Sequence, residues 1–291
     1  MCLSGSGHYG RVQPWEAIAL GALQGVTELF PISSLGHSVV LPAVLGWQLD
    51  QHDPRFLAFL IATHLATAIV LFGFYARLWI GIVAGMLRSL RDREIGPHDA
   101  EAKLGWLIVV ATVPAGLIGL LFQQRIQELL ATPRIAAALL AVNGLGLLGI
   151  EVLRRRAMAP DPAWPVRFGW TRAVGVGVAQ SFAFLPGISR TGATMGGALL
   201  AGLSHIDAAR FAFLMATPII AAAAVLKLPE VAVAGDPATL TAMGLGMAAA
   251  GGAAYLSVRF LDRYFRTDTL IPFGAYCVAA GGVSLLVLLT R

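Results

Sequence analysis

The sequence predicts an all-α integral membrane protein with about six transmembrane helices and two re-entrant helical hairpins, arranged as inverted-topology repeats. Three observations predict this fold: the composition, six long apolar segments, and two further apolar regions that are each broken at the middle. Of the 291 residues, 57% are hydrophobic and only 13% are charged, whereas soluble domains carry about 25% charged residues. The chain is therefore not built to face water on all sides.

Six segments are long and apolar enough to cross a bilayer, since a spanning helix needs about 20 apolar residues. These are residues 56–76, 104–122, 135–153, 208–226, 238–258 and 270–289. Residues 77–90 either extend the first span or lie at the membrane interface. Residues 1–13 form a short polar tail without the pattern of a signal peptide. The two cysteines, Cys2 and Cys277, have no metal-ligand spacing and no evident disulfide framework.

Two further apolar regions, residues 15–46 and 170–202, are interrupted at their centres by "FPISS" and "FLPGISR". Proline and glycine break a helix, and serine is a favourable N-cap for a new one. Each region is therefore predicted to be a helix, a break and a second helix. Because a helix rises only about 1.5 Å per residue, each arm is short for a crossing. We interpret the two regions as re-entrant hairpins.

The two breaks resemble each other. Gln24 and the downstream "LFPISSLG" align with Gln180 and the downstream "FLPGISRTG", which is one glycine longer. In addition, "FLIAT" matches "FLMAT" about 155 residues later. These matches predict an internal duplication within a single membrane domain, with residues 14–153 as the first repeat and residues 154–291 as the second. Three spans separate the hairpins, so the second hairpin enters from the opposite face and the two tips can meet near the bilayer midplane.

The basic residues of the loops predict the orientation. The side richer in Lys and Arg is assigned to the cytoplasm, which places both termini and the mouth of the first hairpin outside. The net charge of +5 mainly reports this topology, and no nucleic-acid partner is expected. The richer side carries Arg77, Arg88, Arg91, Arg93, Lys103, Arg154, Arg155, Arg156, Arg167, Arg172, Arg259, Arg263 and Arg266. The other side carries Arg11, Arg55, Arg125, Arg134, Lys227 and Arg291.

The first hairpin carries polar residues that are costly at membrane depth and therefore indicate function. Gln24 and Glu28 lie one turn apart on one face of the first arm. Ser33 and Ser34 begin the second arm, and His37 follows them on the same face. The structural alternatives are that Ser33, like Ser189 in the second hairpin, is only an N-cap and that His37 is a satisfied core residue.

The second hairpin contributes Ser189, Arg190, Thr191 and Thr194. An arginine side chain matches phosphate in a bidentate geometry, and the N-termini of the two inner arms offer free N–H groups. The tips therefore predict a phosphate or diphosphate site. Glu28 would repel that anion unless a divalent cation, Mg²⁺ or Ca²⁺, bridges them, or unless it holds a proton as general acid or base.

Several roles remain open at this stage. His37 could protonate a leaving phosphate, act as a base or attack phosphorus, and Ser34 is the other candidate nucleophile. Glu28 and Arg190 could also pair only to hold the fold together. His64, in the middle of the first span, is interpreted as a structural hydrogen-bonding residue, and Asn143 as one that joins helices.

These motifs resemble the undecaprenyl-diphosphate phosphatase family, the integral-membrane enzymes linked to bacitracin resistance. The resemblance rests on "QGVTE", "PISSLGH" and "PGISRTGAT", in this order, and covers roughly residues 14–291. Gln24 stands where a carboxylate is also common, so this position offers an amide oxygen and no second carboxylate ligand for a metal. Leu35 stands where a hydroxyl residue often follows, and Thr191 replaces a serine.

The resemblance implies hydrolysis of a C55-polyprenyl diphosphate to its monophosphate, which recycles the lipid carrier for peptidoglycan synthesis. It also implies a bacterial inner-membrane location with catalysis on the outer, periplasmic face. By motif position, Glu28, Ser34, His37 and Arg190 match the family's catalytic residues. The expected partners are the polyprenyl diphosphate and membrane lipids, and the sequence leaves a homodimer open.

Two other classes of protein share parts of these motifs or of this architecture. Lipid phosphatases with Lys-x6-Arg-Pro and Ser-Arg-x5-His motifs are excluded, since Gly196 stands where the last histidine is needed and the first motif does not occur. A polyprenyl-phosphate flippase or transporter is the non-enzyme alternative, since inverted repeats with broken helices are typical of transporters. The combination of a nucleophile with an acid or base favours the enzyme.

Overall fold

The computed structural model describes residues 13–47, 53–130, 132–154, 163–233 and 237–290, and the regular structure within these ranges is helical. The first six helices are α1 (Pro14–Thr27), α2 (Ser34–Leu45), α3 (Pro54–Phe74), α4 (Ala76–Asp92), α5 (Ala100–Leu130) and α6 (Pro133–Arg154). They are followed by α7 (Trp170–Ser181), a 3-10 turn (Phe182–Phe184), α8 (Arg190–Leu200), α9 (His205–Val233), α10 (Pro237–Tyr264) and α11 (Ile271–Thr290).

Six helical segments of the described chain are long and apolar enough to span a membrane, as predicted. They are Arg55–Phe74, Ala100–Phe122, Pro133–Arg154, His205–Val225, Pro237–Tyr264 and Ile271–Leu289. Their outward faces keep large apolar side chains exposed, among them Leu121, Val225 and Leu256. Such a surface suits contact with lipid chains. The six spans therefore make the protein a multi-pass membrane protein. Cys2 and the tail of residues 1–13, apart from Gln13, lie outside the described residues.

Both predicted breaks are present. Helix α1 starts with a proline at its first position and a capping contact from the Gln13 N–H to Glu16 Oε2 (2.8 Å). It ends before Pro31, which cannot continue a helix because it lacks an N–H group, and α2 begins at Ser34. The second hairpin is formed in the same way by α7, the 3-10 turn and α8.

Residues 77–90 form a separate helix, α4, which begins directly after a break at Tyr75. It runs beside the first half of α5, where Arg88 pairs with Asp99 (3.1 Å) and the Trp106 indole N–H donates to Ser89 (2.9 Å). The segment therefore follows the first span closely but is not a continuous extension of it.

Helices from the two halves of the chain pair with each other in a reciprocal way. The first hairpin packs through α1 on α10 of the second repeat, and the second hairpin packs through α7 on α5 of the first. Helix α3 likewise packs on α9, and α6 on α11. This reciprocal exchange is the arrangement expected of a duplicated chain, and it encloses both breaks within the helical bundle. The exact repeat boundary stays a prediction.

Candidate functional site

The tips of the two hairpins contact each other directly. Gly187, in the second break, has φ 101°, a left-handed conformation that favours glycine. A Cβ atom on Gly36 would lie 3.0 Å from the Cα atom of Gly187, and one on Gly192 would lie 3.3 Å from Cβ of Pro31. The first turn of each inner arm is thus packed against the break of the other hairpin.

Ser33 and Ser189 cap the two inner arms in the same way. The Ser33 hydroxyl accepts from the Gly36 N–H (3.2 Å), and the Ser189 hydroxyl accepts from the Gly192 N–H (3.1 Å). Both serines are buried, and Ser33 has φ 69°, which is uncommon for a residue other than glycine. The N-cap interpretation is therefore confirmed, while the substrate-binding role predicted for these serines stays a prediction.

The first residues of the two inner arms, Ser34 and Arg190, meet at the carboxylate of Glu28. Arg190 Nη2 pairs with Oε1 of Glu28. The Ser34 hydroxyl donates to Oε2 (2.5 Å), and Gln24 Nε2 donates to the same atom (2.9 Å). Glu28 is only 7% exposed, so its negative charge is balanced by these contacts instead of by water. The structure thus joins four of the predicted site residues.

The two threonines make contacts within the protein. The Thr191 hydroxyl donates to the backbone carbonyl of Glu28 (3.0 Å), which connects α8 to the end of α1. The Thr194 hydroxyl lies 2.8 Å from the Arg190 carbonyl and 3.2 Å from Gln180 Oε1. Both side chains support the cluster around Glu28, and their predicted contact with substrate stays a prediction.

His37 points elsewhere. Its Nδ1 lies 2.7 Å from the Ser33 carbonyl, and its Nε2 lies 2.9 Å from the hydroxyl of Tyr276 on α11. The two rings are stacked, with centroids 5.7 Å apart. The helical spacing that suggested a shared face for Ser34 and His37 therefore does not join the imidazole to the Glu28 carboxylate.

His64 is the residue that sequence reasoning underestimated. Its Nδ1 contacts the Leu60 carbonyl (2.7 Å), the local hydrogen bond that was expected. Its Nε2 also lies 3.2 Å from Oε2 of Glu28. His64 lies halfway along the span Arg55–Phe74, so the tip of the first hairpin is level with the middle of that span. The available signal was an ionisable residue in the centre of an apolar helix.

Asn143, near the middle of α6, joins the two breaks. Its Oδ1 accepts from the backbone N–H of Ser189 (3.0 Å), and its Nδ2 donates to the carbonyl of Pro31 (3.2 Å). The side chain is buried. The side-chain amide of Asn143 thus satisfies one backbone group in each break, close in sequence to Ser34 and Arg190.

The residues around Glu28 fit a divalent cation that binds together with a phosphate. Glu28 supplies one carboxylate, and Gln24 Oε1 is buried without a hydrogen-bond partner. The described residues contain no cluster of three or more His, Cys, Asp or Glu side chains for a metal held by protein alone. Mg²⁺ commonly uses one or two carboxylates plus the phosphate oxygens of a substrate, which is the donor set offered here.

The fold and this cluster define a class of multi-pass membrane proteins in which two broken helices bring a serine, a carboxylate and a guanidinium together. The family model described as "Bacitracin resistance protein BacA" matches residues 17–283. The chain therefore belongs to the bacitracin resistance protein BacA family.

Curated relatives are similar over nearly the whole chain. An undecaprenyl-diphosphatase of Mycolicibacterium paratuberculosis (strain ATCC BAA-968 / K-10) is 47% identical, with 95% of this chain and 97% of that protein covered. Undecaprenyl-diphosphatase 1 of Burkholderia pseudomallei (strain K96243) is 44% identical over 92% of this chain and 94% of that protein. An undecaprenyl-diphosphatase of Acidiphilium cryptum (strain JF-5) is 45% identical, with 94% and 98% covered.

Proposed function

We propose that this protein hydrolyses undecaprenyl diphosphate to undecaprenyl phosphate and inorganic phosphate, which recycles the lipid carrier for peptidoglycan synthesis. The observation that carries the proposal is the contact of the Ser34 hydroxyl with Glu28, whose other carboxylate oxygen holds Arg190. The names of the curated relatives support the same reaction. They give no support to the flippase alternative.

The tips suit the head group of the substrate. The guanidinium of Arg190 has five N–H donors, and those not bound to Glu28 can donate to oxygens of the terminal phosphate. The first N–H groups of α2 and α8 have no acceptor within their own helices, and the positive ends of both helix dipoles face the same place. The polyprenyl tail would lie among the apolar spans. Every member of the cluster comes from one chain, so the site does not require a homodimer.

The chemistry follows from the contact between Ser34 and Glu28. The Ser34 oxygen attacks the terminal phosphorus while its proton passes to the Glu28 carboxylate. The bond from that phosphorus to the bridging oxygen breaks, and undecaprenyl phosphate leaves with the electron pair. Water then hydrolyses the phosphoserine. A direct attack by water next to Glu28 gives the same products without this intermediate, and His37 is the less suitable nucleophile because it faces Tyr276.

A divalent cation, Mg²⁺ or Ca²⁺, forms part of this proposal. Gln24 Oε1 and the Glu28 carboxylate would hold it together with phosphate oxygens. When bound, the cation neutralises charge on the diphosphate and polarises its phosphoryl oxygens. Removal of the metal with EDTA is expected to abolish hydrolysis, and added Mg²⁺ or Ca²⁺ is expected to restore it.

We also propose a location in the bacterial inner membrane, with the site open to the periplasm and the loop between α4 and α5 in the cytoplasm. The arginine-rich end of α4 supports this orientation. A single cysteine introduced at Trp47 is expected to react with a membrane-impermeant maleimide on intact cells, whereas one introduced at His98 is expected to react only after the cells are opened. Labelling of both from outside would contradict the orientation.

The deciding experiment is release of inorganic phosphate from undecaprenyl diphosphate by purified protein in detergent. We expect release that depends on divalent metal and falls by at least about 10³-fold in Ser34→Ala and Arg190→Ala. Rapid quench with substrate labelled in the terminal phosphate distinguishes a phosphoserine from direct attack by water. No release by folded protein with any divalent ion would contradict the proposed function.

A further inference from the structure

We propose that His64 is a positioning residue of this site, in a step that rests on the proposed function. His64 holds the carboxylate of Glu28 in place for Ser34 while Arg190 turns to the substrate phosphate. The residue lies outside both hairpin motifs, on α3, and reaches the cluster only through the tertiary fold.

The orientation of the imidazole is fixed at both ends. The Leu60 carbonyl can only accept, so the Nδ1 atom of His64 donates to it (2.7 Å). This hydrogen bond turns Nε2 towards Oε2 of Glu28 (3.2 Å). A carboxylate oxygen also accepts, so Nε2 donates in this contact. The hydrogen bond made by one ring nitrogen of a histidine sets the role of the other, and a bond from Nδ1–H to a backbone carbonyl is a common form of this.

The four partners of the carboxylate differ in what they do during the reaction. The guanidinium of Arg190 turns to the phosphate, and the hydroxyl of Ser34 gives up its proton. Gln24 lies on α1, the same helix as Glu28, and moves with it. Among the described partners, His64 is the one on a spanning helix. The contact of His64 can therefore keep Oε2 of Glu28 in place while Arg190 turns away and Ser34 loses its proton.

The second repeat supplies an independent comparison. "FLIATH" in the first repeat corresponds to "FLMATP" in the second, so Pro218 occupies the place of His64. The segment "SFAFLPG" of the second hairpin has no carboxylate in the place of Glu28. The histidine is thus found in the repeat that carries the carboxylate, which is the pattern expected if the two act together.

The test compares His64→Leu with His64→Gln. Leucine removes the donor, whereas the glutamine amide can donate to the same oxygen of Glu28. We expect kcat to fall about 10- to 100-fold in His64→Leu, as a misplaced catalytic group does, with KM for undecaprenyl diphosphate changed less than about threefold. We expect His64→Gln to recover most of kcat.

A matched control exists at the ends of two spanning helices. His205, the first residue of α9, also pairs with a buried carboxylate, that of Glu151 near the end of α6 (2.6 Å). His205→Leu is expected to lower thermal stability while kcat stays within about threefold of the parent. If His64→Leu lowered kcat only in proportion to the loss of folded protein, as the control does, the positioning role would be wrong.

A structural measurement separates this inference from the proposed function. Crystal structures of the parent protein and of His64→Leu would be determined with pyrophosphate bound. We expect Glu28 to keep its hydrogen bond to Ser34 in the parent and to lose it in the variant. An unchanged carboxylate in His64→Leu overturns the inference whether or not the protein hydrolyses the lipid. Absence of hydrolysis by the parent overturns the proposed function instead.

Discussion

Asn143 gives the sharpest test of how the two hairpins are held together. Its side-chain amide donates to the Pro31 carbonyl and accepts from the Ser189 N–H, so one side chain fixes a backbone position in each break. Asn143→Leu removes both hydrogen bonds, together with the weaker contact of Asn143 Nδ2 with Cys277 Sγ (3.4 Å). It keeps a similar side-chain volume, so it introduces no large cavity and tests the connection between the tips.

The expected loss of stability follows from the two backbone groups left behind. An unsatisfied polar group in a buried position costs about 1–3 kcal/mol. The Pro31 carbonyl keeps a weak thiol donor, since Cys277 Sγ lies 3.9 Å away, while the Ser189 N–H loses the acceptor provided by Asn143. We therefore expect the free energy of unfolding to fall by about 2–4 kcal/mol. For a chain of this size the melting temperature would fall by about 3–7 °C.

The assay measures thermal unfolding in detergent together with phosphate release below the melting temperature of the variant. We expect activity to fall at least about tenfold as well, because Ser34 and Arg190 follow the released backbone closely. The control is Thr112→Val on α5. The Thr112 hydroxyl donates to the Ile108 carbonyl of its own helix (2.7 Å), so its loss leaves that helix intact.

The reasoning would be refuted if Asn143→Leu melted and hydrolysed substrate like the parent protein. That result would mean that packing alone sets the separation of the tips. A loss of stability equal to that of Thr112→Val would lead to the same conclusion. A loss of stability without a loss of activity would show that the bridge stabilises the fold but does not position Ser34 and Arg190.

Three further substitutions test neighbouring contacts. Gly36→Ala places a methyl group in the contact between the tips and is expected to lower kcat at least about tenfold. The control is Gly252→Ala, whose methyl group meets no neighbour within 4 Å and should leave kcat unchanged. Ser33→Gly keeps the left-handed backbone and loses the cap, so stability should fall by only a few tenths of a kcal/mol; a large loss of activity would show that the hydroxyl touches substrate. Tyr276→Phe removes the hydrogen bond to His37 and should lower stability by about 1 kcal/mol; a tenfold loss of kcat would contradict the view that His37 lies outside the chemistry.

The fold was predictable from local features of the chain. Span lengths follow from runs of apolar residues, and the breaks follow from Pro31 and from the serines that cap new helices. The helix break at Tyr75 was not predicted, because "GFYARL" contains no proline and its only glycine, Gly73, lies within α3. Helix α4 packs on α5, and the sequence of one segment does not show which other helix it will pack against.

The site was predictable where its residues lie in the breaks themselves. Glu28, Ser34 and Arg190 were expected together, and the structure joins them. The contact of His64 with Glu28 and that of His37 with Tyr276 were not predicted, because helical spacing says which residues share a face but not which helix meets that face. The catalytic role predicted for His37 stays a prediction. The imidazole of His37 contacts the hydroxyl of Tyr276, and the imidazole of His64 contacts the carboxylate of Glu28. Both pairings join helices that are distant in sequence, so only the tertiary structure reveals them.

The equivalence of Ser34 and Arg190 has a consequence for how such a site arises. The two residues occupy the same place in the two repeats, at the first position of an inner arm. An assembly of two identical repeats would present two serines or two arginines to the carboxylate, and neither pair supplies both a nucleophile and a cation. The proposed reaction therefore requires that the two inner arms begin with different residues, which one chain provides and two copies of an identical half would not.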